Sequence, residues 1–299
     1  MRRLGTILSP YALPPEDFRG AVMAAQDAGI REIWIWEDCF RQSAYAVAGA
    51  VLAWTREMRV GIGIAPLPLR NVAISAMEIA TLERTFPGRL LPGLGHGVQA
   101  WMTQVGAKHA SPLTLMREQL PALRALLAGE RVTAEGRYVR LRDVALDWPP
   151  HSAPRVYAAA EGPKTLRLAG AVADGVVLDS KHTPAEIAAM VGAVQEGRRD
   201  AGRDGPADVV AYVVTAFGDD AAARAAAAID DVTFGPAAAD GADRGPRALA
   251  GSVAQVAEQI RAFSAAGVDD VVLLPTPDAD LPAFLVAAGE LGRTLEVAA

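Results

Sequence analysis

The chain has 299 residues, with 29 lysines and arginines against 35 aspartates and glutamates, and its formal charge is −6 with a sequence pI near 5.3. That balance excludes a protein that grips nucleic acid through a broad basic face. A 51% hydrophobic content and a mean hydropathy of +0.18 exclude a disordered or fibrous chain.

In chain order, short β-rich runs fall at residues 4–8, 32–36, 59–64, 89–94, 155–159, 175–178, 208–215 and 270–274. Between most of them lie alanine-rich stretches with apolar positions at three-and-four spacing, such as 18–28 and 72–85. Strands alternating with helices imply βαβ units and a parallel sheet. Eight such strands in a chain of this length fit an α/β fold of the (β/α)8 TIM-barrel type, read as a single domain over residues 1–299.

Two stretches break the regularity. Residues 107–154 read as an insertion after strand 4: a helix at 111–128, a hairpin at 132–139, then Asp147-Trp148-Pro149-Pro150. Residues 219–251, rich in Ala, Asp, Gly and Pro, read as irregular, with a mobile loop at 235–246. Both are expected at the strands' carboxyl ends, where lids form.

One cysteine, Cys39, excludes an internal disulfide framework and a multi-cysteine zinc site, and makes a reducing, cytoplasmic setting the expectation. No His, Asp or Glu spacing points to a metal. No apolar run reaches the roughly 18 residues of a membrane-spanning helix, and no targeting segment is expected at residues 1–10.

In a barrel of this type functional side chains gather just past the carboxyl ends of the strands. That rule selects Trp36-Glu37-Asp38-Cys39-Phe40, Gly63-Ile64-Ala65-Pro66, Gly93-Leu94-Gly95-His96-Gly97-Val98-Gln99, Ala160-Glu161-Gly162-Pro163-Lys164 and Asp179-Ser180-Lys181-His182. Glu37 and Asp38 are adjacent on a strand end, so they point opposite ways, one toward the mouth and one toward an arginine. Cys39 is a potential nucleophile or an inert small hydrophobe. His96, in a glycine-rich loop, fits either proton transfer or loop capping. Gly93-x-Gly95-x-Gly97 lacks the spacing of a dinucleotide fingerprint, because position 98 is valine. Its glycines either let backbone pass closely at a crowded mouth or admit a flat ring system. Pro163 opens a helix, which either makes an ordinary βα turn or offers its free amides, with Lys164 and Arg167, to a phosphate.

These residues resemble the bacterial-luciferase-like superfamily, in particular its branch of coenzyme F420-dependent oxidoreductases. The resemblance rests on Ile33-Trp34-Ile35-Trp36-Glu37-Asp38, on Val60-Gly61-Ile62-Gly63-Ile64-Ala65-Pro66, and on Thr81-Leu82-Glu83 leading to Pro87-Gly88-Arg89-Leu90-Leu91-Pro92-Gly93-Leu94-Gly95. The last signature is Ala158-Ala159-Ala160-Glu161-Gly162-Pro163-Lys164 running on to Ala169-Gly170-Ala171-Val172-Ala173-Asp174-Gly175. Together they cover nearly the whole chain.

The resemblance implies a flavin-type cofactor, F420 with FMN as the alternative, at the strands' carboxyl ends. It implies a non-proline cis bond at Gly63–Ile64 on a strand-three bulge backing the ring, with Ala65 beside it. It also implies that Gly95, His96, Gly97 and Val98 lie along the ring, that Ala160, Glu161, Gly162 and Pro163 hold the phosphate, and that Asp38 orients the cofactor or pairs nearby. Trp36, His96 and Trp101 would line the substrate side, and a bulky residue at Gly95 would block the cofactor. Cys39 and Val98 stand where sugar-phosphate dehydrogenases of this branch carry a histidine and a glutamate, so that acid–base pair is missing.

The implied activity is hydride transfer between reduced F420 and an unsaturated or carbonyl-type small molecule. The alternatives are an FMN-dependent monooxygenase using oxygen, a non-catalytic cofactor-binding barrel, and a cofactor-free hydrolase that lacks a nucleophile–base pair. The implied partners are a small-molecule substrate and a second copy in a homodimer, with no nucleic acid and no membrane.

Overall fold

A computed structural model describes residues 3–231 and 247–297. In chain order the strands are β1 (Arg3–Ile7), β2 (Glu32–Ile35), β3 (Arg59–Pro66), β4 (Leu90–Gly95), β5 (Val132–Glu135), β6 (Arg140–Val144), β7 (Tyr157–Ala159), β8 (Gly175–Leu178), β9 (Asp208–Phe217), β10 (Ala248–Gly251) and β11 (Asp270–Pro275). The helices are α1 (Phe18–Asp27), α2 (Ala44–Trp54), α3 (Val72–Thr85), α4 (Gln99–Gln104), α5 (Pro112–Leu127), α6 (Pro163–Val172), α7 (Pro184–Asp200), α8 (Ala221–Asp230), α9 (Val253–Ala265) and α10 (Leu281–Val297). The fold is the (β/α)8 barrel that the alternation implies, and all eight expected strands form within two or three residues of their expected bounds.

The chain divides into two compact units, one of residues 1–34, 178–192 and 208–299, the other of residues 35–177 and 193–207. In the first, β1 lies between β11 and β2, and β9 pairs parallel with both β11 and β10. Nine of the ten residues of β9 are buried, the unbroken apolar run of a strand covered on both faces. Trp34 donates its indole N–H to Glu32 Oε1 at 2.8 Å and meets Tyr212 edge-on at 5.9 Å.

The stretch 219–251, expected to be irregular, instead contains α8 and β10, the latter paired parallel with Val214–Phe217. Its alanines are packing residues: Ala221 and Ala225 bury against Ala216, with Ala248 and Ala250 packed alongside. Composition that resembles a loop is here the small-residue face of a close helix–strand contact. The loop expected at 235–246 lies outside the described residues.

In the second unit β3, β4, β7 and β8 pair in parallel order. The register of β3 on β4 slips between Ile62 and Ala65, so β3 is bulged there. α5 opens with Pro112 after Ser111, whose hydroxyl accepts the Thr114 N–H at 3.2 Å. It packs on both α3 and α6, so it takes the outer-helix place between β4 and β7, and only the residues after it are extra.

Those residues form the antiparallel β5–β6 hairpin, which leaves from the last turn of α5 rather than from a strand's carboxyl end as expected. Its tip folds back along the helix. Glu118 accepts the N–H groups of Arg137, Tyr138 and Val139 at 3.0, 2.8 and 3.0 Å, and the Tyr138 hydroxyl accepts the Ser111 N–H.

Asp174, just before β8, accepts from Arg124 Nε and Nη2 at 3.0 and 2.7 Å, from Arg203 at 2.7 Å and from the Val156 N–H at 3.1 Å. Burial opposes the charge of this carboxylate, but the Arg124 hydrogen bond and the groups around it hold its pKa below the usual carboxylate range. The Ala-Asp-Gly signature is therefore a structural tie at the strands' amino ends, remote from the expected site.

Candidate active site

The carboxyl ends of β2, β3, β4 and β7 converge within the second unit. β2 ends at Ile35, so Glu37 and Asp38 lie just past the strand, and Glu37 is the one that meets an arginine. The buried Glu37 carboxylate accepts Arg70 Nη1 at 2.5 Å, Arg70 Nη2 at 2.9 Å and the Ala44 N–H at 2.9 Å. Its backbone N–H donates to the Ile64 carbonyl at 3.0 Å, joining the end of β2 to the bulge of β3. Arg70 is the arginine that the sequence left unnamed. It stands 33 residues from its partner, and no local spacing marks it.

Asp38 and Cys39 are half-buried, and Phe40 beside them is 68% exposed. Burial first, then the Glu37 and Asp38 charges, push the Cys39 thiol up, so it stays protonated near neutral pH. A thiolate nucleophile is not what this environment builds.

The Gly63–Ile64 bond is cis, at the position that the resemblance implied, and the Cys39–Phe40 bond is cis as well, which nothing in the sequence indicated. Gly93 and Gly95 of β4, and Gly97 just beyond it, each answer to β3. A Cβ on Gly93 would run into the Ile62 carbonyl oxygen, and one on Gly95 would stand 3.1 Å from Ile64 Cγ1 and 3.1 Å from Ala159 Cβ. Gly97 has φ +66°, and its Cβ would meet that of Pro66 at 2.9 Å. Of the two readings of Gly93-x-Gly95-x-Gly97, close backbone passage is the one that this packing supports.

His96 is half-buried, and its Nε2 is buried without a hydrogen-bond partner. Burial lowers its pKa, so the ring is neutral near pH 7. The Gln99 amide steadies this loop by donating to the His96 and Gly97 carbonyls at 3.1 and 3.3 Å. Val98 is 47% exposed, and Trp36 and Trp101 are half-buried.

At the β7 end, Ala160 is buried while Glu161, Gly162, Pro163 and Lys164 are exposed. Gly162 caps α6 with no side-chain hydrogen bond, Pro163 fills the first turn, and a Cβ on Gly162 would meet nothing within 4 Å. Arg167 does not serve this end: it pairs with Glu196 and with Asp200 at 3.1 Å, tying α6 to α7. The residues after β8, Asp179 to His182, belong to the other compact unit.

A family model described as luciferase-like monooxygenase matches residues 2–270. The chain belongs to that family. It is a family of F420- or flavin-dependent oxidoreductases. The chain is 33% identical over 211 residues to a 5,10-methylenetetrahydromethanopterin reductase of Methanolobus tindarius, covering 70% of this chain and 64% of the relative. It thus spans less than two thirds of the length of the curated relatives it first matches.

Among solved structures, an F420-dependent tetrahydromethanopterin reductase from Methanopyrus kandleri superposes with a TM-score of 0.81 at 23% identity, over 98% of this chain and 99% of that one. An F420-dependent secondary alcohol dehydrogenase in complex with an F420–acetone adduct superposes with a TM-score of 0.84 at 21% identity, over 99% of both chains. At these identities the likeness is one of fold. Among the described residues no helix is long and apolar enough to cross a membrane.

Proposed function

We propose that the protein binds coenzyme F420 at the carboxyl ends of β2, β3, β4 and β7 and acts as an oxidoreductase on an unsaturated or carbonyl-type small molecule. The observation that carries this reading is the β3 bulge, which sets Ile64 between the Glu37 N–H and Gly95, in the same unit as an α6 N-terminus that no side chain caps. An apolar prop and an uncapped helix end fit a planar ring with an anionic tail.

Ile64 would back the ring, Asp38 would orient it, and the amides at Gly162 and Lys164 would take the phosphate. Bound F420 supplies the hydride chemistry; the chain supplies binding, orientation and exclusion of water. His96, neutral at pH 7, offers the substrate a hydrogen bond rather than a charge. With Glu37 tied to Arg70 and Cys39 held as a thiol, proton movement does not fall to either of those side chains.

Titration of the purified protein with F420 tests the reading. Saturable binding, followed at the cofactor band near about 420 nm, is the expected result. The second reading, an FMN-dependent monooxygenase, is favoured by the description of the family model that matches. Binding of FMN alone, with its band near about 450 nm, would replace the first reading by the second.

A further inference from the structure

Glu37 grips the exit of β3 at two points. Its backbone N–H holds the Ile64 carbonyl, and its carboxylate holds the guanidinium of Arg70, six residues further on. Between those points the chain passes through Ala65, Pro66 and a single 3-10 turn, Leu67–Leu69. Arg70 is fixed in turn from three other directions. Its Nε pairs with Glu78 of α3 at 2.9 Å, its guanidinium lies 4.8 Å over the Tyr45 ring of α2, and its carbonyl accepts the Gln119 amide of α5 at 3.2 Å. The Ala44 N–H adds the first residue of α2 to the same carboxylate. A planar fork that meets a carboxylate through two parallel hydrogen bonds sets direction as well as distance.

Resting on the cofactor reading above, the geometry points to Glu37 and Arg70 as a positioning pair. Through the bulge and the backbone of Asp38, the pair fixes where the ring-facing residues stand, and so sets cofactor affinity without touching the cofactor. The Glu37 carboxylate accepts three hydrogen bonds, two of them from a cation, which suits a strut and not a proton shuttle. The Arg124–Asp174–Arg203 cluster offers the same chemistry at the strands' amino ends, so the two ion-pair groups separate positioning from plain stability.

The test compares Glu37→Gln, Arg70→Lys and Asp174→Asn in the full chain, each checked for folding by circular dichroism. The readouts are the Kd for F420 by fluorescence titration and the absorbance maximum of the bound cofactor. Glu37→Gln is expected to raise Kd by about tenfold or more and to shift the bound spectrum. Arg70→Lys, which keeps the charge and loses the fork, is expected to move both in the same direction. Asp174→Asn is expected to leave Kd within about twofold.

An unchanged Kd in folded Glu37→Gln overturns the inference, as does an equal rise in Asp174→Asn. Should Glu37→Gln fail to fold, Arg70→Lys decides by the same two readouts. Wild-type protein that binds neither F420 nor FMN removes the underlying reading and the inference with it. Wild-type binding with unaffected variants removes the inference alone.

Discussion

A Cβ added to Gly95 would stand 3.1 Å from Ile64 Cγ1 and 3.3 Å from its Cδ1, so the strand-three isoleucine fills the space that a side chain on the strand-four glycine would need. Contacts that tight force a neighbour to give way. Gly95→Ala is expected to displace Ile64 and weaken F420 binding by about tenfold, and Ile64→Val in the same chain to restore part of it, with a coupling of about 1 kcal/mol. Isothermal titration of the two single variants and the double variant checks this; simple additivity would contradict it. A bulky residue at position 95, expected from the sequence to block the cofactor alone, would overpack β3 and β7 as well.

Gly97 adopts φ +66° with Pro66 close by, a backbone state that costs an ordinary side chain about 1–2 kcal/mol. Gly97→Ala should lower the unfolding free energy by that amount or slightly more, measured by urea denaturation. An equally stable variant would mean that the loop has another conformation.

Asp174 is a partly buried carboxylate with two arginines, and its pKa is held down by them against the opposing effect of burial. A depressed folded-state pKa makes its stabilisation fully present above the unfolded carboxylate range. That stabilisation is lost as pH falls through the lower folded value. Asp174→Asn should cost about 2–4 kcal/mol at pH 7, with the difference from wild type shrinking in acid. Denaturation midpoints at pH 7 and below about pH 4 check both parts.

His96 is shifted in the other sense chemically, because burial disfavours its charged form. Its folded pKa lies below the unfolded value of about 6.5, so the neutral ring's contribution is present above that value and fades as pH falls beneath it. NMR titration should find His96 neutral at pH 7, with cofactor affinity flat from about pH 7 to 8 in wild type and in His96→Gln. A His96 titration at or above the unfolded value would contradict the burial.

The positions of strands and helices were legible because each is a local pattern: eight apolar runs, Pro163 opening a helix, and Ser111-Pro112 opening another. The family signatures mixed two kinds of residue that sequence order cannot separate. Gly63–Ile64 lies at the mouth, whereas Asp174 ties the opposite ends of the strands. The alanines of 219–231 misled because a small side chain serves a loop and a tight packing face equally well. Arg167 misled because its helix position is set by sequence while its partners Glu196 and Asp200 come from another helix.

Hydrophobic periodicity and turn chemistry act over a few residues, so the chain by itself determined its βα alternation, its parallel strands and the glycines where backbone must pass closely. Which charge meets which is set by approach in space over tens of residues. Only the folded molecule decided that Glu37 is consumed by Arg70 and that the glycines of β4 make way for Ile64.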